Sequence, residues 1–272
     1  FTGRAYIFYN DGSIPTTAAT ADVIITGAAS TSFGVSVTTG DFNADSKVDL
    51  AVGASGYSSS TGRVYIFNND GSIPTTAATA DTTITGESSS NFGISLAGGD
   101  LNADGKVDLA AGASTHNTST GRAYIFYNDG SLPTTAATAD VLIDGGTGVY
   151  FGYRLTTGDV SADGRADLIV GNNYTSATFG RAYVFYNDGT YPADSTTADK
   201  TIGSSSENPG SALLIMDINL DGKLDIIASD TAYSSSKGVL YSYISEAKYI
   251  PDLPTSATFR GRVIMRGDNT VR

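Results

Sequence analysis

GRAYIFYNDGSIP begins at Gly3, GRVYIFNNDGSIP at Gly62, GRAYIFYNDGSLP at Gly121 and GRAYVFYNDGTYP at Gly180, and a worn copy, GVLYSY, begins at Gly238. The successive spacings are 59, 59, 59 and 58 residues. A chain with such a period is built by stacking one small unit on the next, since a unit of this size cannot bury its apolar surface alone. Each period holds short strand-like runs divided by turn residues. In one copy, FGISLAGG from Phe92, VDLAAGA from Val107, GRAYIFYN from Gly121 and ADVLIDG from Ala139 read as four strands. Asn128-Asp129-Gly130 marks a turn after the third, and Pro133 prevents its simple continuation. No unit has a helical period. Strands apolar on both sides, such as AYIFY and DLIVG, suit sheets covered on both faces. The pattern predicts an all-β fold, a β-propeller of four-stranded antiparallel blades.

A second motif recurs in phase with the first. D-x-N-x-D-S-K-x-D runs from Asp41 to Asp49, and D-x-N-x-D-G-K-x-D from Asp100 to Asp108. D-x-S-x-D-G-R-x-D runs from Asp159 to Asp167, and D-x-N-x-D-G-K-x-D from Asp217 to Asp225. Three carboxylates so close repel one another unless a cation sits among them. Oxygen side chains fall at positions 1, 3, 5 and 9: Asp41, Asn43, Asp45 and Asp49; Asp100, Asn102, Asp104 and Asp108; Asp159, Ser161, Asp163 and Asp167; Asp217, Asn219, Asp221 and Asp225. Position 7 (Lys47, Lys106, Arg165, Lys223) would add a backbone carbonyl while its charged end points to solvent. Glycine at position 6 permits the left-handed turn, and in the first loop Ser46 has to adopt that conformation itself. An all-oxygen set of this kind suits calcium, whereas zinc or copper would want His or Cys. The expectation is about four Ca²⁺ ions, one per loop, which would bring the formal charge of −12 to about −4. A single Asp/Asn/Gly cluster is usually only a turn; four in register argue otherwise.

Composition closes off several classes. The chain of 272 residues has 40% apolar and 16% charged residues, 32 glycines, no cysteine and no tryptophan. Without Cys there is no thiolate metal site, thiol nucleophile or disulfide scaffold. The acidic balance argues against a nucleic-acid partner, because phosphate binding wants a basic surface. No apolar run approaches the roughly 20 residues of a membrane span. The start at Phe1-Thr2-Gly3 reads as a mature product or a piece of something longer.

Phe33-Gly34, Phe92-Gly93 and Phe151-Gly152, the aspartate loops, and Gly53-Ala54-Ser55 and Gly112-Ala113-Ser114 together resemble the FG-GAP repeats of integrin α-subunit propellers and their bacterial and fungal relatives. The fourth unit departs, with Pro209-Gly210 and Ala228-Ser229-Asp230 in those places. The resemblance implies an extracellular, calcium-binding propeller, usually seven-bladed, whose rim loops bind protein or carbohydrate on the side away from the calcium loops. Its blade order runs Phe-Gly strand, calcium loop, Gly-Ala strand, then two outer strands. On that order, residues 1–265 form one propeller domain or fragment. Residues 1–27 are an outer half-blade; 28–86, 87–145 and 146–203 are blades; 204–265 is a divergent blade, and 266–272 a tail. Four blades and a half leave seven unmet, so the chain is a fragment or has an edge that another chain completes.

The functional expectation is adhesion or recognition of a protein or glycan at a cell surface. The alternatives are a structural subunit of an extracellular filament or surface layer, self-associating by strand-edge pairing, and a lectin. No enzyme is read here, since His116, the one histidine, lies in a polar loop and reads as a surface residue. Arg266-Gly267-Asp268 reads as a chance tripeptide in a basic tail. Asn117 and Asn173 head N-glycosylation acceptor triplets. Tyr6, Tyr65, Tyr124, Tyr183 and Tyr241 recur at the period and read as core, while Tyr9, Tyr127 and Tyr186 read as exposed.

Overall fold

In a computed structural model the described residues are 2–173, 180–203, 208–230, 239–244 and 262–267. They form eighteen strands in five sheets, one of two strands and four of four. The first sheet pairs β1 (Thr2–Ile7) with β2 (Val23–Ala29). The second follows in chain order: β3 (Phe33–Gly40), β4 (Asp49–Ala54), β5 (Arg63–Phe67) and β6 (Thr82–Thr85). The third holds β7 (Phe92–Gly99), β8 (Asp108–Ala113), β9 (Arg122–Phe126) and β10 (Val141–Asp144). The fourth holds β11 (Arg154–Gly158), β12 (Asp167–Gly171), β13 (Ala182–Phe185) and β14 (Lys200–Ile202). The fifth holds β15 (Ala212–Met216), β16 (Asp225–Asp230), β17 (Val239–Ile244) and β18 (Arg262–Gly267). These are the blades of an all-β propeller, the inner strand of each beside the inner strand of the next. Among the described residues no helix is long and apolar enough to cross a membrane.

One pairing departs from the antiparallel expectation. β18 runs parallel to β17, in the register Val239 to Arg262 through Ile244 to Gly267. A parallel neighbour needs a longer crossover than a hairpin. The fourth blade has the longer link, residues 245–261 against 68–81 in the first, and lacks the Asn-Asp-Gly turn of the others.

The core lies between blades, and every seam joins unlike faces. In the seam of the first two blades, Val64, Ile66 and Ile84 of one meet Phe92, Leu109, Tyr124 and Phe126 of the next. The next seam sets Ala123, Ile125 and Ile143 against Phe151, Leu168, Tyr183 and Phe185. Each Phe-Gly phenylalanine packs edge-on against the aromatics of its own third strand: Phe33 on Tyr65 and Phe67, Phe92 on Tyr124 and Phe126, Phe151 on Tyr183 and Phe185. The recurring tyrosines Tyr65, Tyr124 and Tyr183 are core, but Tyr6 is exposed because its sheet lacks the strand that would carry such a phenylalanine. Tyr127 and Tyr186, read as exposed, are half-buried against neighbouring blades, and only Tyr9 stands clear. The side chain of Tyr241 lies outside the described residues.

The glycines explain why blades come so close. A Cβ on Gly53 or Gly112 would run into the carbonyl of Gly93 or Gly152 in the next blade. Beside that contact, Ser36 Oγ donates to Gly93 O at 2.7 Å and Ser95 Oγ to Gly152 O at 2.8 Å. The near-identical NDGSIPTTAATAD links also join blades. Thr26 within β2, and Thr85 and Asp144 at the ends of their outer strands, donate backbone N–H groups to Thr75, Thr134 and Ala193 of the following blade at 2.9 Å.

Candidate metal centre

The aspartate loops join the first and second strands of each blade, so all four lie at one end of the sheets. Their internal bonding repeats residue by residue. The position 1 carboxylates, Asp41, Asp100, Asp159 and Asp217, each accept the N–H groups of positions 5 and 6 at 2.8–3.1 Å. Asn43, Asn102 and Asn219 at position 3 accept the position 5 N–H at 2.9–3.0 Å. In the third loop the shorter Ser161 does not, and its Oγ leans towards Asp159 at 3.5 Å. Asp45, Asp104, Asp163 and Asp221 at position 5 accept the N–H of Lys47, Lys106, Arg165 and Lys223 at 2.8–3.0 Å. Ser46 adopts φ +67 where Gly105, Gly164 and Gly222 adopt +86 to +90, as the sequence required. Position 4 is left-handed too, at Ala44, Ala103, Ala162 and Leu220, which no glycine announces.

The position 9 aspartates behave differently. Asp49, Asp108, Asp167 and Asp225 are at most 1% exposed. One oxygen of each accepts the position 2 N–H, from Phe42, Leu101, Val160 or Ile218, at 2.8–3.1 Å. The other oxygen, in the first three blades, accepts the N–H of Asn69, Asn128 or Asn187 at 2.8–2.9 Å. Those asparagines belong to the Asn-Asp-Gly turns, and two of them also reach the preceding blade: Asn128 Nδ2 donates to Asp41 O at 2.8 Å, and Asn187 Nδ2 to Asp100 O at 3.4 Å. A clamp between loops is thus made by residues that read as turn formers. Their recurrence at the loop's own period was the signal for it.

Electrostatics leave the buried carboxylates short of positive charge. Burial pushes Asp108 up to about 6; two backbone N–H bonds oppose the rise, and Asp104 and Asp100 add to it. Burial likewise raises Asp167. The position 7 side chains were expected in solvent. Lys47 and Lys106 are only partly so, since their Nζ atoms lean back to Asp45 and Asp104 at 3.4 and 4.0 Å. Arg165 is exposed as expected, and its Nη1 donates to Asn187 O at 3.3 Å.

The loops gather the position 1, 3 and 5 oxygens around shared N–H groups. Among the described residues, however, no three acidic or imidazole side chains converge closely enough to hold a metal. The donor chemistry nonetheless fits a hard cation. Every candidate ligand atom is oxygen, and the N–H groups use only part of each carboxylate's accepting capacity.

At the opposite end lie the tight turns between second and third strands. Arg63 sits 3.7 Å over the Tyr57 ring. One period on, His116 is not a plain surface residue: it packs edge-on against Tyr124, 3.9 Å from Glu87, and burial lowers its pKa. Arg122 grips Asp144 through two bonds of 2.6 and 2.8 Å and meets Glu87 at 3.3 Å, while Tyr124 Oη donates to Glu87 at 2.7 Å. Asn117 stands exposed in this turn. Asn173 is half-buried; the rest of its acceptor triplet, Tyr174 and Thr175, lies outside the described residues, as does Asp268 of the Arg266-Gly267-Asp268 tripeptide.

The FG-GAP repeat profile matches residues 33–67 and 92–126, and the FG-GAP-like repeat profile matches 159–228, together about half of the chain. The chain belongs to the FG-GAP repeat family. Among curated proteins, the rat integrin alpha-7 is 36% identical over 169 residues, which is 59% of this chain and 14% of that protein. The bovine phosphatidylinositol-glycan-specific phospholipase D is 32% identical over 158 residues, 53% of this chain and 19% of that protein. The Drosophila melanogaster integrin alpha-PS2 is 32% identical over 166 residues, 56% and 11%. The chain therefore spans less than a fifth of each of these FG-GAP relatives.

Proposed function

We propose that this FG-GAP chain is a calcium-stabilised, extracellular propeller module that recognises a protein or glycan at a cell surface. The observation that supports it most is the set of four loops with one bonding pattern, a buried carboxylate in each, at one end of the blades. Calcium would be held by the oxygens at positions 1, 3, 5 and 9 and the carbonyl at position 7. It would supply positive charge that tightens the inner hairpin of each blade. Catalysis is not part of this reading; the likeness to the phospholipase D covers only the repeats. Recognition belongs to the opposite rim, around Tyr57, Arg63, Glu87, His116 and Arg122, and the exposed Asn117 is a candidate glycan acceptor.

The test is calorimetric titration of the metal-stripped chain with calcium, beside melting curves in calcium and in EDTA. About four ions should bind, and EDTA should lower the melting temperature by several degrees, because only the folded loops present the full donor set. No heat and coincident melting curves would end the calcium reading. A filament subunit remains a second reading, favoured by the two-stranded first sheet, in which β1 pairs with β2 alone among the described residues. Light scattering at rising concentration separates the two.

A further inference from the structure

The aspartate loops of the first two blades are tied to each other in both directions. Asp49, which closes the first loop, holds the N–H of Phe42 at 2.9 Å. Phe42 is 3% exposed and packs in the same seam as Val107, which precedes Asp108 in the second loop. Gly40 leaves room for both, since its Cβ would lie 2.5 Å from Val107 Cγ1 and 3.0 Å from the Phe42 ring. In return, Asp108 holds the N–H of Asn128 at 2.8 Å. The Asn128 Nδ2 donates to Asp41 O at 2.8 Å and to Val107 O at 3.2 Å, and its Oδ1 accepts the Gly130 N–H at 3.2 Å. This fully buried carboxamide is therefore fixed at both of its ends.

The next seam repeats the arrangement more loosely. Asp108 holds the N–H of Leu101 at 2.8 Å, and Leu101, fully buried, packs in the seam with Ala166, the residue before Asp167. Asp167 holds the N–H of Asn187 at 2.9 Å, but Asn187 Nδ2 reaches Asp100 O only at 3.4 Å. Its Oδ1 has no hydrogen-bond partner among the described residues, although Asn187 is 1% exposed.

We infer that Asn128 couples the first two loops, so that filling one raises the calcium affinity of the other, and that Asn187 does the same more weakly between the second and third. The inference rests on the calcium reading proposed above and adds to it that the sites are not independent. Positions 1 and 9 are the two ends of a loop, and both must be in place for the donor set to close. Asn128 is anchored through its backbone to the last residue of one loop and through its side chain to the first residue of the other. Ordering either loop therefore pre-orders the other, and linkage makes the gain reciprocal. A contiguous route is not itself a coupling, so the coupling is what has to be measured.

The metal-stripped, isotope-labelled chain is titrated with calcium alone and followed by NMR. The Gly105 amide, which donates to Asp100 at 2.9 Å, reports the second loop. Asp45→Ala disables the first loop at an exposed ligand. It should raise the calcium needed to half-shift Gly105 by about fivefold or more. Asn128→Ser keeps the backbone N–H that Asp108 accepts and removes Nδ2. In that background Asp45→Ala should move the Gly105 midpoint by less than about twofold, whereas a merely structural asparagine would lower the melt and leave this ratio alone. Asn69→Ala is the control, since Asn69 bonds Asp49 in the same way but the sheet before it carries no aspartate loop, and the coupling should persist there. A Gly105 midpoint that is the same in Asp45→Ala and the parent overturns the inference alone. That comparison leaves the clamp intact, so it decides even where Asn128→Ser folds poorly. A shift that survives Asn128→Ser also overturns it, because charge through solvent or packing at Phe42 would then be the carrier. A parent Gly105 unmoved at every calcium concentration overturns the calcium reading itself, and the coupling with it.

Discussion

Asp108 shows how one residue carries the tension of these loops. Its carboxyl is buried and its pKa is pushed up to about 6, so the folded state holds this proton more tightly than the unfolded chain does. A group raised in this way stabilises the fold fully below its unfolded value of about 3.9 and ceases to do so as the pH rises through its folded value. Asp167 is raised in the same direction. Metal-stripped protein should therefore melt at higher temperature near pH 5 than near pH 7. Bound calcium should remove or reverse that slope, because it favours the charged form. Melting curves across this range decide the matter; a flat metal-free profile would show that the carboxylates are better solvated than their burial implies. The ligand positions were legible because side-chain oxygens must recur at fixed spacing. The asparagine clamps were not, since Asn128 reaches Asp41 across 87 positions of sequence, and turn chemistry hides such a role.

At the scale of an element, the two motifs that name the family are one contact seen from both sides. The glycine of each second strand, Gly53 or Gly112, lies against the Phe-Gly carbonyl of the next blade. Neither sequence motif shows this alone, because the two glycines are far apart in the chain and meet only when blades stack. Gly112→Ala should therefore destabilise severely, by more than the ~1 kcal/mol that helix or strand propensity accounts for. Gly105→Ala is the contrast. Its Cβ would meet no atom within 4 Å, so the cost is only that of φ +86, about 1–2 kcal/mol. Phe92→Ala empties a fully buried site between Tyr124 and Phe126 and should cost about 3–5 kcal/mol. Chemical denaturation ranks the three, and equal losses for the two glycine variants would refute the close-contact account. The strands themselves were readable from short apolar runs between turn residues. The parallel β18 was not, since nothing in a strand's own sequence states its direction relative to a neighbour set by the link before it.

At the scale of the molecule, stacking is directional: each blade offers one face to its predecessor and another, with close-approach glycines, to its successor. Gly40, Gly99 and Gly158 end the inner strands of the first three blades, and the fourth has Met216 there. Gly53, Gly112 and Gly171 lie in the second strands, and the fourth has Ser229. Beside the Pro209-Gly210 change on the seam with the third blade, two of the fourth repeat's substitutions thus fall on the face turned away from it. Leu214 and Met216 on that face are 53% and 43% exposed. A side chain at either substituted position would collide with a further blade seated at the spacing of the others, as a Cβ on Gly53 or Gly112 would. The sequence displayed these substitutions, but without the seams their common direction could not be seen. Two variants make the asymmetry measurable. A Cβ on Gly158 would lie 3.1 Å from Ile215 and 3.2 Å from Leu224, so Gly158→Met has no room for its side chain and should unseat the fourth blade. Differential scanning calorimetry should then show an early separate transition, since blades of a repeat protein are held by nearest-neighbour contacts. Met216→Gln, on the open face, should leave the melt within about 0.5 kcal/mol of the parent while reducing binding of a hydrophobic dye. If Gly158→Met melts as one transition at the parent temperature, the seam tolerates bulk, and the glycines of the first three blades do not explain how the fourth differs.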